Sequence, residues 1–118
     1  MDNFGHIMNA NDYQKAALRT CNKDLTTIEQ IANGAMGLNG EAGEVVDLVK
    51  KHLYQGHDLD KKHLAKELGD IAWYLAVTSW FAGYDLDTIF QMNVEKLTKR
   101  YPDGFDSDKS QHREKGDI

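Results

Sequence analysis

Apolar residues recur along this chain at intervals of three and four, and no window alternates with the period of two expected of a half-buried strand. The helical period therefore sets the expected architecture. Asn11 or Asp12 can cap a short first helix carrying Tyr13, Ala16, Ala17 and Leu18, which Asn22-Lys23-Asp24 breaks. A second helix begins at Thr26 or Thr27 with Glu29 and Gln30 in its first turns. Its Ala42, Val45, Val46, Val49 and Leu53 form one continuous stripe. The same segment holds Gly34, Gly37, Gly40 and Gly43, each costing about 1 kcal/mol relative to alanine in a helix interior, so a break near residues 37 to 40 is anticipated.

Gly56 reads as the end of that segment and Asp58 or Asp60 as the cap of a third helix running to about Gly83, with Leu64, Leu68, Ile71 and Leu75 on its inner face. From Ile71 to Ala82 the helix is apolar on nearly every side, which predicts burial against more than one neighbour. A chain of 13.4 kDa can hardly surround it alone, so a homo-oligomer, dimer or tetramer, is expected. Asp85 or Asp87 caps a fourth helix with Ile89, Phe90, Val94 and Leu97, which ends before Pro102. The Asp/Lys/Ser/Gly-rich remainder predicts a mobile tail over about residues 106–118. The expected fold is thus all-α, four-helix-bundle-like and oligomeric, with 1–118 as one domain whose core spans about 25–105.

Composition narrows the function classes. With 41% apolar and 28% charged residues the chain has enough hydrophobic material to fold, and 118 residues leave room for one core. The net charge of -5 argues against nucleic-acid or anionic-membrane binding through a broad basic surface. The single Cys21 can form no internal disulfide and reads as a buried helix residue. No apolar run reaches the roughly 18 residues of a membrane span, and Met1-Asp2-Asn3 lacks the layout of a signal peptide, so a cytoplasmic location is expected.

Chemistry concentrates in Glu41-Ala42-Gly43-Glu44 and Glu67-Leu68-Gly69-Asp70, two segments of the same form. Residues three apart share a helix face, so each segment presents two carboxylates side by side, which repel unless a cation neutralises them. Either pair alone is most often solvated surface, but both border the apolar stripes of core helices, where solvated acids would not naturally lie. Oxygen-only ligands point to a hard ion, Mg²⁺ or Mn²⁺. The glycine before each second acid would let the helices, or a ligand, come close. The Glu-x-x-His ligand pattern of di-iron bundles is missing. His63, His52 and His57 read as surface residues, and His6 and His112 carry no signal.

At these residues the chain resembles the MazG-type all-α nucleoside triphosphate pyrophosphohydrolases, a superfamily that includes dimeric dUTPases and a phosphoribosyl-ATP pyrophosphohydrolase. Its E-x-x-E, spacer, E-x-x-D pattern is met by Glu41, Glu44, Glu67 and Asp70. The flanks Gly37-Leu38-Asn39-Gly40, Val45-Val46-Asp47, Lys50-Lys51 and Asn93-x-x-Lys96-Leu97-x-x-Arg100-Tyr101-Pro102 through Gly104-Phe105 are similar too. The likeness covers roughly residues 25–105. It implies Mg²⁺-dependent cleavage between the α and β phosphates of a nucleoside triphosphate, giving the monophosphate and pyrophosphate. By the same resemblance Glu41, Glu44, Glu67 and Asp70 are metal ligands, and Glu41 or Glu44 takes the proton of the attacking water. Spacing does not choose between the two.

Phosphate charge also calls for cations. Lys50, Lys96 and Arg100 are the candidates, with Asn93 on the face shared by the last two; Lys51 reads as a solvated lysine. A basic helix end stabilised by the dipole is the competing reading for Lys96 and Arg100. Asp47 continues the acidic row and is a candidate additional ligand. Trp73, Tyr74, Trp80 and Phe81 suit a core or subunit interface better than a base-stacking platform. By the resemblance, the N-terminal segment that holds Phe4, His6, Ile7 and Tyr13 would close over the nucleotide, with no role carried to its individual residues. Two rival functions stand beside the enzyme: a nucleotide-binding regulatory module without turnover, and a structural bundle with decorative acids.

Overall fold

The computed structural model describes residues 8–118, so Phe4, His6 and Ile7 lie outside the described residues. Five helices follow one another: α1 (Ala10–Leu18), α2 (Thr27–Tyr54), α3 (Lys61–Phe81), α4 (Leu86–Arg100) and α5 (Ser107–Gln111). Among the described residues the only β pairing is an isolated bridge between Pro102 and Gly104, and the all-α expectation holds. The chain divides into two compact units, one ending at Leu86 and the other running from Asp87 to Ile118.

In the first unit the ends of the helices follow local chemistry. Asn9 caps α1 by accepting from the Asp12 amide at 2.8 Å, slightly earlier than the polar cluster at Asn11 and Asp12 suggests. Thr26 caps α2 in a reciprocal box: its hydroxyl accepts from the Glu29 amide, and its own amide donates to Glu29 Oε1. Asp60 caps α3 by accepting from the His63 amide. The left-handed turns after α2 and α3 fall on Gly56 (φ 73°) and Gly83 (φ 95°).

Contrary to the break anticipated near residues 37 to 40, α2 runs unbroken for 28 residues. The reason is packing. A Cβ on Gly34 would overlap the Thr78 side chain, and one on Gly37 would enter the Tyr74 ring, so both glycines let α3 lie directly on the α2 backbone. Gly40, Gly43 and Gly69 face open space, so the close approach expected beside the acids occurs one to two turns away from them. Gly34 against Thr78 and Gly37 against Tyr74 fix α2 and α3 as antiparallel neighbours.

Helix α1 is tied to α3 mainly by polar groups. Trp73 Nε1 donates to Ala17 O at 3.1 Å and to Thr20 Oγ1 at 2.8 Å. The Gln14 side chain, 2% exposed, donates to Ala76 O and Tyr84 O and accepts from the Leu86 amide at 2.9 Å. Cys21 is half-buried and lies beyond the end of α1, with its thiol on Leu18 O, rather than inside a helix.

The apolar core is thin: among the described residues Ala17, Ala76, Val77 and Leu86 are the buried hydrophobics. Val46 is 65% exposed, Leu53 62% and Trp80 51%, so among the described residues much of the apolar stripe of α2 and part of the Ile71–Ala82 segment are exposed. In the second unit Phe90, Val94 and Leu97 of α4 are likewise exposed. Helix α5, capped by Asp106, occupies a segment whose composition predicts no element.

Candidate metal centre

One turn beyond Gly37 on α2, and one turn before Tyr74 on α3, the antiparallel seam carries carboxylates. Glu41, Glu67 and Asp70 each bring an oxygen within 4.8 Å of the others. Glu41 and Glu67 are half-buried and Asp70 is exposed. Glu41 of α2 thus meets Glu67 of α3 across the seam. Hydrogen bonding to Glu67 pushes the Glu41 carboxyl up to about 7, and desolvation and the charges of Glu67, Asp70 and Glu44 add to it.

His63, which the sequence suggests is a plain surface residue, places Nε2 3.1 Å from Glu67 Oε1. The signal was its position four residues before Glu67 on one helix. Tyr13 of α1 also feels the site: burial pushes its phenol up, and the negative charge of Asp70 adds to the shift.

Glu44 is exposed and stands outside the three-carboxylate group, though its charge reaches Glu41. Three residues along a helix turn the side chain about 60° away from its predecessor, so Glu41 faces α3 while Glu44 looks outward. Asp47 is engaged elsewhere, with Lys51 at 2.8 Å and Lys50 at 3.6 Å. The hydrogen bond from Lys51 holds the Asp47 carboxyl below its ordinary range. In the second unit Asn93 and Lys96 are exposed, whereas Arg100 is bound by Asp117.

The donor set is oxygen only, and three carboxylates crowd together closely enough to hold the Glu41 carboxyl at about 7. Both features suit a hard divalent ion, which would compete with the Glu41 proton and remove the repulsion. Glu41, Glu67 and Asp70 could hold such an ion.

A family model, the MazG nucleotide pyrophosphohydrolase domain, matches residues 30–105, which include all three acids. The chain belongs to the MazG family. The Gene 37 protein of Mycobacterium phage L5 is 37% identical to this MazG-family chain over 81 residues, covering 65% of the chain and 71% of the phage protein. No solved structure matches. The match places Glu41, Glu44, Glu67 and Asp70 inside the MazG domain, with Lys109 and the residues after it beyond its end. No helix among the described residues is long and apolar enough to cross a membrane.

Proposed function

We propose that this MazG-family protein hydrolyses nucleoside triphosphates, (d)NTP + H₂O giving (d)NMP + diphosphate, with Mg²⁺ as cofactor and Mn²⁺ as a substitute. The observation that carries the reading is the convergence of Glu41, Glu67 and Asp70 within a nucleotide pyrophosphohydrolase domain. Bound there, a divalent ion supplies positive charge to phosphoryl oxygens and lowers the pKa of a water.

The protein's own groups take the other roles. Glu41, Glu67 and Asp70 hold the ion, and His63 orients Glu67 through its 3.1 Å contact. Glu44, beside the group but not committed to it, takes the proton from the attacking water. Lys50, Asn93, Lys96 and Arg100 neutralise and orient the phosphates, roles that rest on the resemblance.

The uncovered apolar residues Val46, Leu53, Phe90 and Val94 support a homo-oligomer, because self-association would remove them from water. Light scattering reads this directly: a monomer at all concentrations would contradict it. The all-reduced cysteine chemistry of a single thiol suits a cytoplasmic location.

The functional test is turnover of a (d)NTP panel with Mg²⁺, after EDTA, and after Mg²⁺ is restored. Turnover that disappears with EDTA and returns with Mg²⁺ supports the proposal. Turnover indifferent to EDTA, or none with any nucleotide and either metal, sinks it and favours a module that only binds nucleotide.

A further inference from the structure

The unit from Asp87 to Ile118 contains six lysines and arginines and seven acids, so its overall balance is slightly negative. Their placement is far from even. A cavity of about 480 Å³ between the end of α4 and the segment that follows α5 is lined by all six cations: Lys96, Lys99, Arg100, Lys109, Arg113 and Lys115. Only Glu114 and Asp117 of the seven acids reach it. Other acids are used elsewhere: Asp106 caps α5 and Asp108 holds His112. The side chains lining this cavity therefore carry four more positive than negative charges.

Attraction to a helix C-terminus accounts for Lys99 and Arg100, which sit in the last turn of α4. It does not account for Lys109, Arg113 and Lys115, which come from another segment and lie past residue 105, where the family match ends. Bringing like charges together from two segments costs free energy unless an anion shares the space.

One carboxylate already occupies the best donor. Asp117 accepts from Arg100 Nε at 2.8 Å and from Arg100 Nη2 at 2.7 Å, the forked geometry with which a guanidinium also grips a phosphate. Both side chains are shielded, at 9% and 16% exposure. The Arg100 hydrogen bond holds the Asp117 carboxyl below its ordinary range, with Arg113 and Lys96 adding their charges. Among the described residues, none of the other five cations forms an ion pair within 4.0 Å.

We propose that this cavity is a phosphoanion site built by the C-terminal segment, in which Asp117 holds Arg100 until a phosphate group displaces it. The ligand class is a di- or triphosphate, inorganic or carried by a nucleotide. The proposal shares Lys96 and Arg100 with the suggested substrate contacts, and to that extent rests on that reading. Lys109, Arg113 and Lys115 are new to it. Asp117 makes the site self-capped: the segment competes with the ligand for one guanidinium.

The test is calorimetric titration of the full chain in EDTA, so that neither metal binding nor turnover contributes, with inorganic pyrophosphate and with a nucleoside triphosphate as separate probes. Both should bind. The double variant K109A/R113A should weaken both by about tenfold or more, as two charge-assisted contacts are lost. Asp117→Asn should bind both more tightly than the parent, the opposite sign to any general loss of structure. Binding is read without metal and turnover with it, so failure of the hydrolase reading and failure of this one are separable. Equal affinities for parent, K109A/R113A and Asp117→Asn would overturn the site. So would nucleotide binding that pyrophosphate does not compete, or a single-stranded oligonucleotide that binds more tightly than either probe.

Discussion

Glu41 of α2 and Glu67 of α3 bring carboxyl oxygens within 4.8 Å of each other across the helix seam, with Asp70 equally close. In the metal-free protein this crowding holds the Glu41 carboxyl at about 7, and a divalent ion bound there would compete with its proton.

The consequence for stability has a definite sign. The Glu41 carboxyl rises from its ordinary 4.5 to about 7 on folding. Between those values the folded chain binds a proton that the unfolded chain has released, so this group's contribution to stability is full below about 4.5 and declines as pH rises to about 7. In EDTA the melting temperature should fall across that window, and Glu41→Gln should flatten the fall. A parent and variant with parallel melting profiles would show that folding does not raise the Glu41 carboxyl.

The same acids should matter to turnover more than to folding. Glu41→Gln and Asp70→Asn should each lower kcat by on the order of a hundredfold or more. The metal-free variants should melt at or above the parent's temperature, because each removes a repelling charge. Marked destabilisation of the metal-free variants would assign these acids to holding α2 against α3 instead.

Neighbouring glycines of one helix should respond in opposite directions. Gly34→Ala drives a methyl into Thr78 and should destabilise by about 1–3 kcal/mol, the usual cost of overpacking. Gly40→Ala meets nothing within 4 Å and should stabilise by about 0.5–1 kcal/mol through helix propensity. Urea denaturation compares them, and equal effects would mean that α3 does not rest on the α2 backbone at Gly34.

Gln14 is the polar joint of the first unit. Gln14→Ala strands the Leu86 amide and takes one partner from the Ala76 and Tyr84 carbonyls in a poorly hydrated place, so a loss of about 1–3 kcal/mol is expected in the same assay. A loss below about 0.5 kcal/mol, the usual limit for surface changes, would contradict that role.

How far the chain reveals itself depends on whether the deciding interaction is local. Thr26 and Asp60 could each be narrowed to one of two candidate caps, since a cap is made within three residues. The continuity of α2 through four glycines could not, because Tyr74 and Thr78, some forty residues away, fill the space that makes two of them favourable. Gln14 escaped for the same reason: its partners are carbonyls and an amide from Ala76, Tyr84 and Leu86. At the candidate centre the E-x-x-E and E-x-x-D spacing anticipated Glu41, Glu67 and Asp70 together. It did not separate Glu44, whose different outlook follows from the rotation of α2 against α3. His63 was read as a surface residue, because its place four residues before Glu67 resembles that of any exposed histidine. The Arg100–Asp117 fork spans 17 residues with no pattern to announce it.

The central claim is tested most directly by identifying the products of a nucleoside triphosphate incubated with the protein and Mg²⁺, followed by phosphorus NMR. Nucleoside monophosphate and pyrophosphate appearing in equal amounts is the predicted result. Nucleoside diphosphate with orthophosphate, or an unchanged triphosphate across the nucleotide panel, would contradict it.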